Sequence, residues 1–181
     1  LIIFLKWSMF ISSIAMIGVV YAVYYLSRES NRAFIGFFSL LALIGYAFNL
    51  LQSVLDLSQI PLLVEEYSNS SESVREVIQA IGVSNVSLFI LSMGLPGIWA
   101  LAISYKAYTN VSVPRFIPLL GFLWGVGNLA TVFAHILVIL PLIYLIALGA
   151  LIFTPIWAIS EGLFFLRIRK SGVPYIELYE D

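Results

Sequence analysis

The chain has 181 residues, 61% of them hydrophobic and only 10% charged, with a net charge of −1. A soluble domain carries about 25% charged residues, and a globule this apolar would expose patches beyond what solubility tolerates, so lipid is the solvent. The charge balance excludes a binder that works by neutralising nucleic-acid phosphates. Zero cysteines exclude disulfides, thiolate metal sites and a Cys nucleophile, and a single histidine, His135, excludes a metal site built from several imidazoles.

Backbone polar groups in hydrocarbon must be paired within the segment, which leaves helices or a closed barrel. A barrel needs alternating stretches of roughly 10 residues, whereas the apolar runs here are continuous. The expected fold is therefore all-α, a polytopic transmembrane helix bundle. Taken in chain order, the apolar run Leu1-Ile2-Ile3-Phe4-Leu5 opens without Met, which is expected where residues upstream are missing or removed. A first span is predicted over 7–26, and the basic turn Arg28 to Arg32 leads into a second over 33–55.

Residues 56–85 carry Asp56, Glu65, Glu66, Glu72 and Glu76 and are predicted to form an extracytoplasmic loop. Within it, Ser73 and Glu76 make a capping box, and Val74, Val77, Ile78 and Ile81 repeat at helical spacing before Gly82. That pattern predicts a short amphipathic helix over 73–81 lying on the outer surface. Asn69, Asn85 and Asn110 fit the glycosylation acceptor pattern, and Asn69 alone is expected outside and clear of the membrane.

Further spans are predicted over 86–105, 116–138 and 142–166. From Phe116 to Leu166 the only charged residue is Glu161. One helix of that length would measure about 75 Å against a core of about 30 Å, so the chain folds back, and Pro141 marks the break. Pro96, beside Gly94 and Gly97, and Pro155 are expected to kink the third and fifth spans. With five spans, seven of the nine basic residues (Arg28, Arg32, Lys106, Arg115, Arg167, Arg169 and Lys170) fall on one face. The positive-inside rule puts that face in the cytoplasm, giving an N-out, C-in bundle with a cytoplasmic tail over 167–181.

Polar residues inside a membrane are functional candidates by default. Asn49, Gln52 and Asp56 share one face of the second span, and Asn128, Thr131 and His135 share one face of the fourth. Both spans run in one direction, so Asp56 and His135 are expected at similar depth, as a proton-linked pair or a site for a polar ligand. The blander reading is hydrogen bonding between helices. Glu161 is expected to form an ion pair with Arg28, Arg32 or Arg115. Gly121 and Gly125 form G-x-x-x-G, a pattern that permits close helix packing.

Three stretches carry a family resemblance: the turn Leu26-Ser27-Arg28-Glu29-Ser30-Asn31-Arg32; Gly94-Leu95-Pro96-Gly97-Ile98-Trp99 followed by Val113-Pro114-Arg115-Phe116-Ile117-Pro118; and the closing Leu166-Arg167-Ile168-Arg169-Lys170. In these the chain resembles a family of bacterial and archaeal membrane proteins of about six helices, known only as a domain of unknown function. The resemblance implies a topology and no activity, and it implies that the family's first helix precedes Leu1.

Two functions are compatible with these residues. A non-catalytic integral membrane subunit or scaffold of a larger complex is favoured, with lipid and other membrane subunits as partners and the apolar hairpin at Pro141 as a contact. The alternative is a small transporter or proton- or ligand-binding bundle using the polar faces of the second and fourth spans. An enzyme ranks third, because no Ser has a nearby base in the sequence. No cofactor, metal or catalytic residue is expected, and the location is a prokaryotic plasma membrane.

Overall fold

A computed structural model of the chain describes residues 2–27, 32–69, 71–77, 86–109, 113–137, 139, 141–142, 154–164 and 166. Among the described residues the chain is helical almost throughout. The helices are α1 (Ile2–Ser27), α2 (Arg32–Asn69), α3 (72–77), α4 (Val86–Thr109), α5 (Phe116–Ile136) and α6 (154–164). Four of them contain stretches long and apolar enough to cross a bilayer, Lys6–Tyr25, Arg32–Tyr67, Leu88–Thr109 and Phe116–Ile136. The fifth expected span is described mainly over 154–164, where it is helical.

Helix α2 corrects the expected boundary between span and loop. Its carboxylates suggested a loop from Asp56, yet the helix continues through Pro61 to Asn69 for a total of 38 residues. At 1.5 Å per residue that is about 57 Å, well beyond a hydrocarbon core of about 30 Å. Pro61 removes one backbone donor. The residues around it are largely exposed, so the freed carbonyl can be hydrated and the helix survives. The short helix α3 begins at residue 72, slightly ahead of the expected start, where Arg75 N–H donates to Ser71 O at 3.1 Å. The rest of the expected 73–81 helix lies outside the described residues, as do the 28–31 turn and the tail.

Packing follows chain order, with α1 on α2, α2 on α4, and α4 on α5. In the first pair, Lys6 meets Asp56 at one end and Tyr24 stands beside Gly36 at the other, so the two helices are antiparallel. In the last pair, Phe89 lies by His135, Gly97 by Asn128, Leu101 by Gly125 and Ser104 by Gly121, which also fixes an antiparallel register. Helix α6 joins through Trp157, packed on Trp99 and Trp124, and through Phe164, packed on Ala107, Val113 and Ile117.

Close approach explains the register. A Cβ on Gly121 would collide with Ser104 Oγ and stand 2.8 Å from Trp157 Nε1; one on Gly125 would stand 2.9 Å from Gly97 O. Only glycine leaves room for α4 at those two positions. On the other side of α4, the Pro96 ring fills the space a Cβ on Gly45 would need. Helix α4 runs unbroken through Pro96, which serves as a packing surface for α2. The shared core is Met16, Val20, Val23, Ile35, Ala42, Tyr46, Trp99, Ala100, Ile103, Trp124 and Trp157.

Candidate functional site in the bundle interior

The buried face of α2 is set by its spacing. Ile35, Ser39, Ala42, Tyr46, Asn49 and Ser53 are all buried and follow one another at three- and four-residue steps, with Gln52 buried beside them. Asp56 continues the row with its side chain 12% exposed. In a membrane a helix–helix seam normally carries small residues, with polar ones bonded across it. Here more than half of it is polar. From Ser39 to Asp56 the row rises about 26 Å, most of the thickness of a hydrocarbon core.

Four atoms of this row have no partner within the bundle. Ser39 Oγ, Tyr46 Oη, Asn49 Oδ1 and Gln52 Oε1 are buried without a hydrogen-bond partner, as are Trp99 Nε1 and Trp157 Nε1. Each such group costs about 1–3 kcal/mol of desolvation left uncompensated. Polar residues on the other helices turn back on their own backbone instead. Ser13 Oγ donates to Met9 O at 2.8 Å, Ser92 Oγ to Phe89 O at 2.8 Å, and Thr131 Oγ1 to Gly127 O at 2.9 Å. Local bonds of this kind satisfy a hydroxyl without joining two helices.

The candidates read from the sequence thus separate. Asp56 is taken by Lys6 of α1, Nζ to Oδ2 at 2.5 Å, and not by His135. His135 Nδ1 donates to Thr131 O at 2.9 Å, and its ring lies 4.5 Å from that of Phe89. Asn128 is buried opposite Gly97, and Asn49 and Gln52 are brought together on the seam. Glu161 is only 6% exposed, and among the described residues it makes no ion pair with Arg32 or Arg115. Arg28 lies outside the described residues. Sequence reasoning missed Lys6, Ser39, Tyr46 and Ser53, although their spacing against Asn49 and Asp56 was there to be seen. It also missed the tryptophans, because nothing local to Trp99, Trp124 or Trp157 says that three separate helices bring them together.

The fold and this interior define an all-α polytopic membrane bundle. The chain belongs to the family described as a domain of unknown function, DUF4386, whose model matches residues 1–167. No curated protein and no solved structure matches it.

Proposed function

We propose that the chain is a small membrane-embedded binding or transport bundle whose interior receives a small polar solute along the α2 seam. The observation that supports this is the row of buried polar groups without partners, Ser39, Tyr46, Asn49 and Gln52. A purely structural seam gains nothing from such groups, whereas a polar solute would satisfy them when it binds. The membrane is a prokaryotic plasma membrane, with the end bearing Arg32, Lys106 and Arg115 in the cytoplasm, and the chain crosses five times.

The natural absence of cysteine makes the test direct. Ser39→Cys and Ser53→Cys, both at buried seam positions, are treated in native membranes with a small polar thiosulfonate, with lipid-facing Leu40→Cys as control. Both seam cysteines are expected to react faster than the control, because a thiolate forms only where water reaches. Seam cysteines as inert as Leu40→Cys defeat the reading.

A second reading, a non-catalytic subunit of a larger membrane complex, is favoured by the end of α5. Ile136, Leu137, Ile139 and Leu142 are all exposed there. The turn is held by Leu137 N–H donating to Phe133 O, Ile139 N–H to Ala134 O, and Leu142 N–H to Ile139 O. Irregular backbone flanked by apolar side chains suits neither water nor lipid, but suits a protein neighbour. Leu140 lies outside the described residues. Discrete stoichiometric partners after mild-detergent purification from native membranes would support this reading, and a lone monodisperse bundle would not.

A further inference from the structure

Helix α1 packs chiefly on α2, and the two halves of that contact differ in chemistry. Lys6 on Asp56 and Tyr24 beside Gly36 fix the antiparallel register between them. Toward Arg32 it sets Val23 level with Ser39 and Val20 level with Ala42. Toward Asp56 it sets Met16 level with Tyr46, Ser13 with Asn49, and Met9 with Gln52 and Ser53. The Arg32 half is dry and closely packed: Val20, Val23, Ile35 and Ala42 are each 2% exposed or less.

The Asp56 half is built differently. Three of the four unpaired seam atoms lie in it, Tyr46 Oη, Asn49 Oδ1 and Gln52 Oε1. Ser13, the buried hydroxyl that α1 brings to this level, donates to Met9 O of its own helix and leaves them unmet. In lipid no hydrophobic force drives two helices together, and water would satisfy all three atoms if the helices parted. Parting is opposed at its end by the ion pair, Lys6 Nζ to Asp56 Oδ2 at 2.5 Å. Gly18 stands between the two halves of α1, and a Cβ there would meet nothing within 4 Å, so close packing does not account for it. A glycine inside a helix weakens it and is a place where helices bend.

Resting on the binding reading above, we infer that the Lys6 half of α1 is a hinged gate over the seam, latched by the Lys6–Asp56 ion pair and bending at Gly18. The dry half holds α1 to the bundle while the other half swings. Opening hydrates Tyr46, Asn49 and Gln52 and admits a polar solute to them, and closing restores the ion pair.

The test follows the rate at which Ser53→Cys reacts with the small polar thiosulfonate in native membranes. Ser53 is buried on the seam at the level of Met9, under the gate. Lys6→Met, which keeps the length of the side chain and removes its charge, is expected to raise that rate about tenfold, as loss of a charge-assisted hydrogen bond shifts an opening equilibrium. Lys6→Arg keeps the charge and is expected to leave the rate near the parent's. Gly18→Ala is expected to slow the reaction about threefold, since alanine stiffens the helix where it must bend. That variant adds a methyl group in open space, so it carries the test even if Lys6→Met fails to fold. Val23→Cys, in the dry half, is expected to stay unreactive with either residue at position 6. A parallel rise at Val23→Cys would mean general loosening of the bundle and would overturn the gate. If the parent's seam cysteines react but neither Lys6→Met nor Gly18→Ala changes the rate, the gate is wrong and the solute-binding bundle stands. If the seam cysteines are inert in the parent and in Lys6→Met alike, both fall.

Discussion

Asp56 closes the polar row on α2, and Lys6 reaches it from α1 across the antiparallel pair. Both side chains are largely withdrawn from solvent, at 22% exposed for Lys6 and 12% for Asp56. An ion pair so placed is worth little against an apolar replacement of both partners, yet breaking it by removing one leaves an uncompensated charge. Lys6→Leu is therefore expected to destabilise the bundle by about 2 kcal/mol, the scale of one lost charge-assisted hydrogen bond. Lys6→Leu combined with Asp56→Leu should recover most of that loss. Reversible unfolding in mixed micelles measures both. Equal destabilisation by the single and double variants would show that Lys6 acts through its packing and not through Asp56. His135 stands apart from this pair. Its Nδ1–H is held by the Thr131 carbonyl of its own helix.

At the scale of the helices, glycine placement decides which surfaces meet. Gly121 and Gly125 face α4 at distances that exclude a Cβ, while Gly18 of α1 and Gly162 of α6 have open space around them. Gly125→Ala would push against the Gly97 carbonyl and the Leu101 side chain, and overpacking of this kind costs about 1–3 kcal/mol. Gly18→Ala meets nothing and gains up to about 1 kcal/mol of helix propensity. Opposite signs are thus expected for one chemical change, read by thermal unfolding of the purified variants. A Gly125→Ala protein as stable as the parent would mean that α4 and α5 pack less closely.

The G-x-x-x-G pattern made this contact legible in the sequence, because small residues at that interval matter only where helices approach. The helical class was equally legible, from apolar run length. The end of α2 was not, because carboxylates mark the end of an apolar run without ending the helix. Nor was the pairing of Asp56. Its periodicity placed it on a face, but which residue occupies the facing helix depends on register across the α1–α2 turn. The Trp99, Trp124 and Trp157 cluster is further still from local pattern, since it requires the positions of three helices at once.

The molecule as a whole is polarised from end to end. Arg32, Lys106 and Arg115 gather where α2 begins and α4 meets α5, with Tyr105 and Tyr108 exposed beside them and Arg115 lying 5.8 Å over the Tyr108 ring. Exposed tyrosines suit a membrane–water interface on either side, and the excess of basic residues is what the positive-inside rule would place in the cytoplasm. The other end carries the projecting part of α2, with Glu65 and Glu66 exposed. There Arg75 Nε donates to Tyr67 O at 3.0 Å and its guanidinium lies over the Tyr67 ring, so α3 is tied back onto α2. A helix of 38 residues cannot be contained in the hydrocarbon even if tilted, and the carboxylates require its far end to be the part in water. The two ends are then expected on opposite sides of the membrane. Ser71, just beyond α2, and Thr109, at the end of α4, are both exposed. Ser71→Cys should react with an impermeant maleimide added to intact cells, whereas Thr109→Cys should react only after the membrane is opened. The reverse pattern would keep the fold and invert its orientation, which would mean that the excess of Arg and Lys does not orient this chain. Labelling of both cysteines from the same side would require α4 to return without crossing, and the alternating bundle would be wrong.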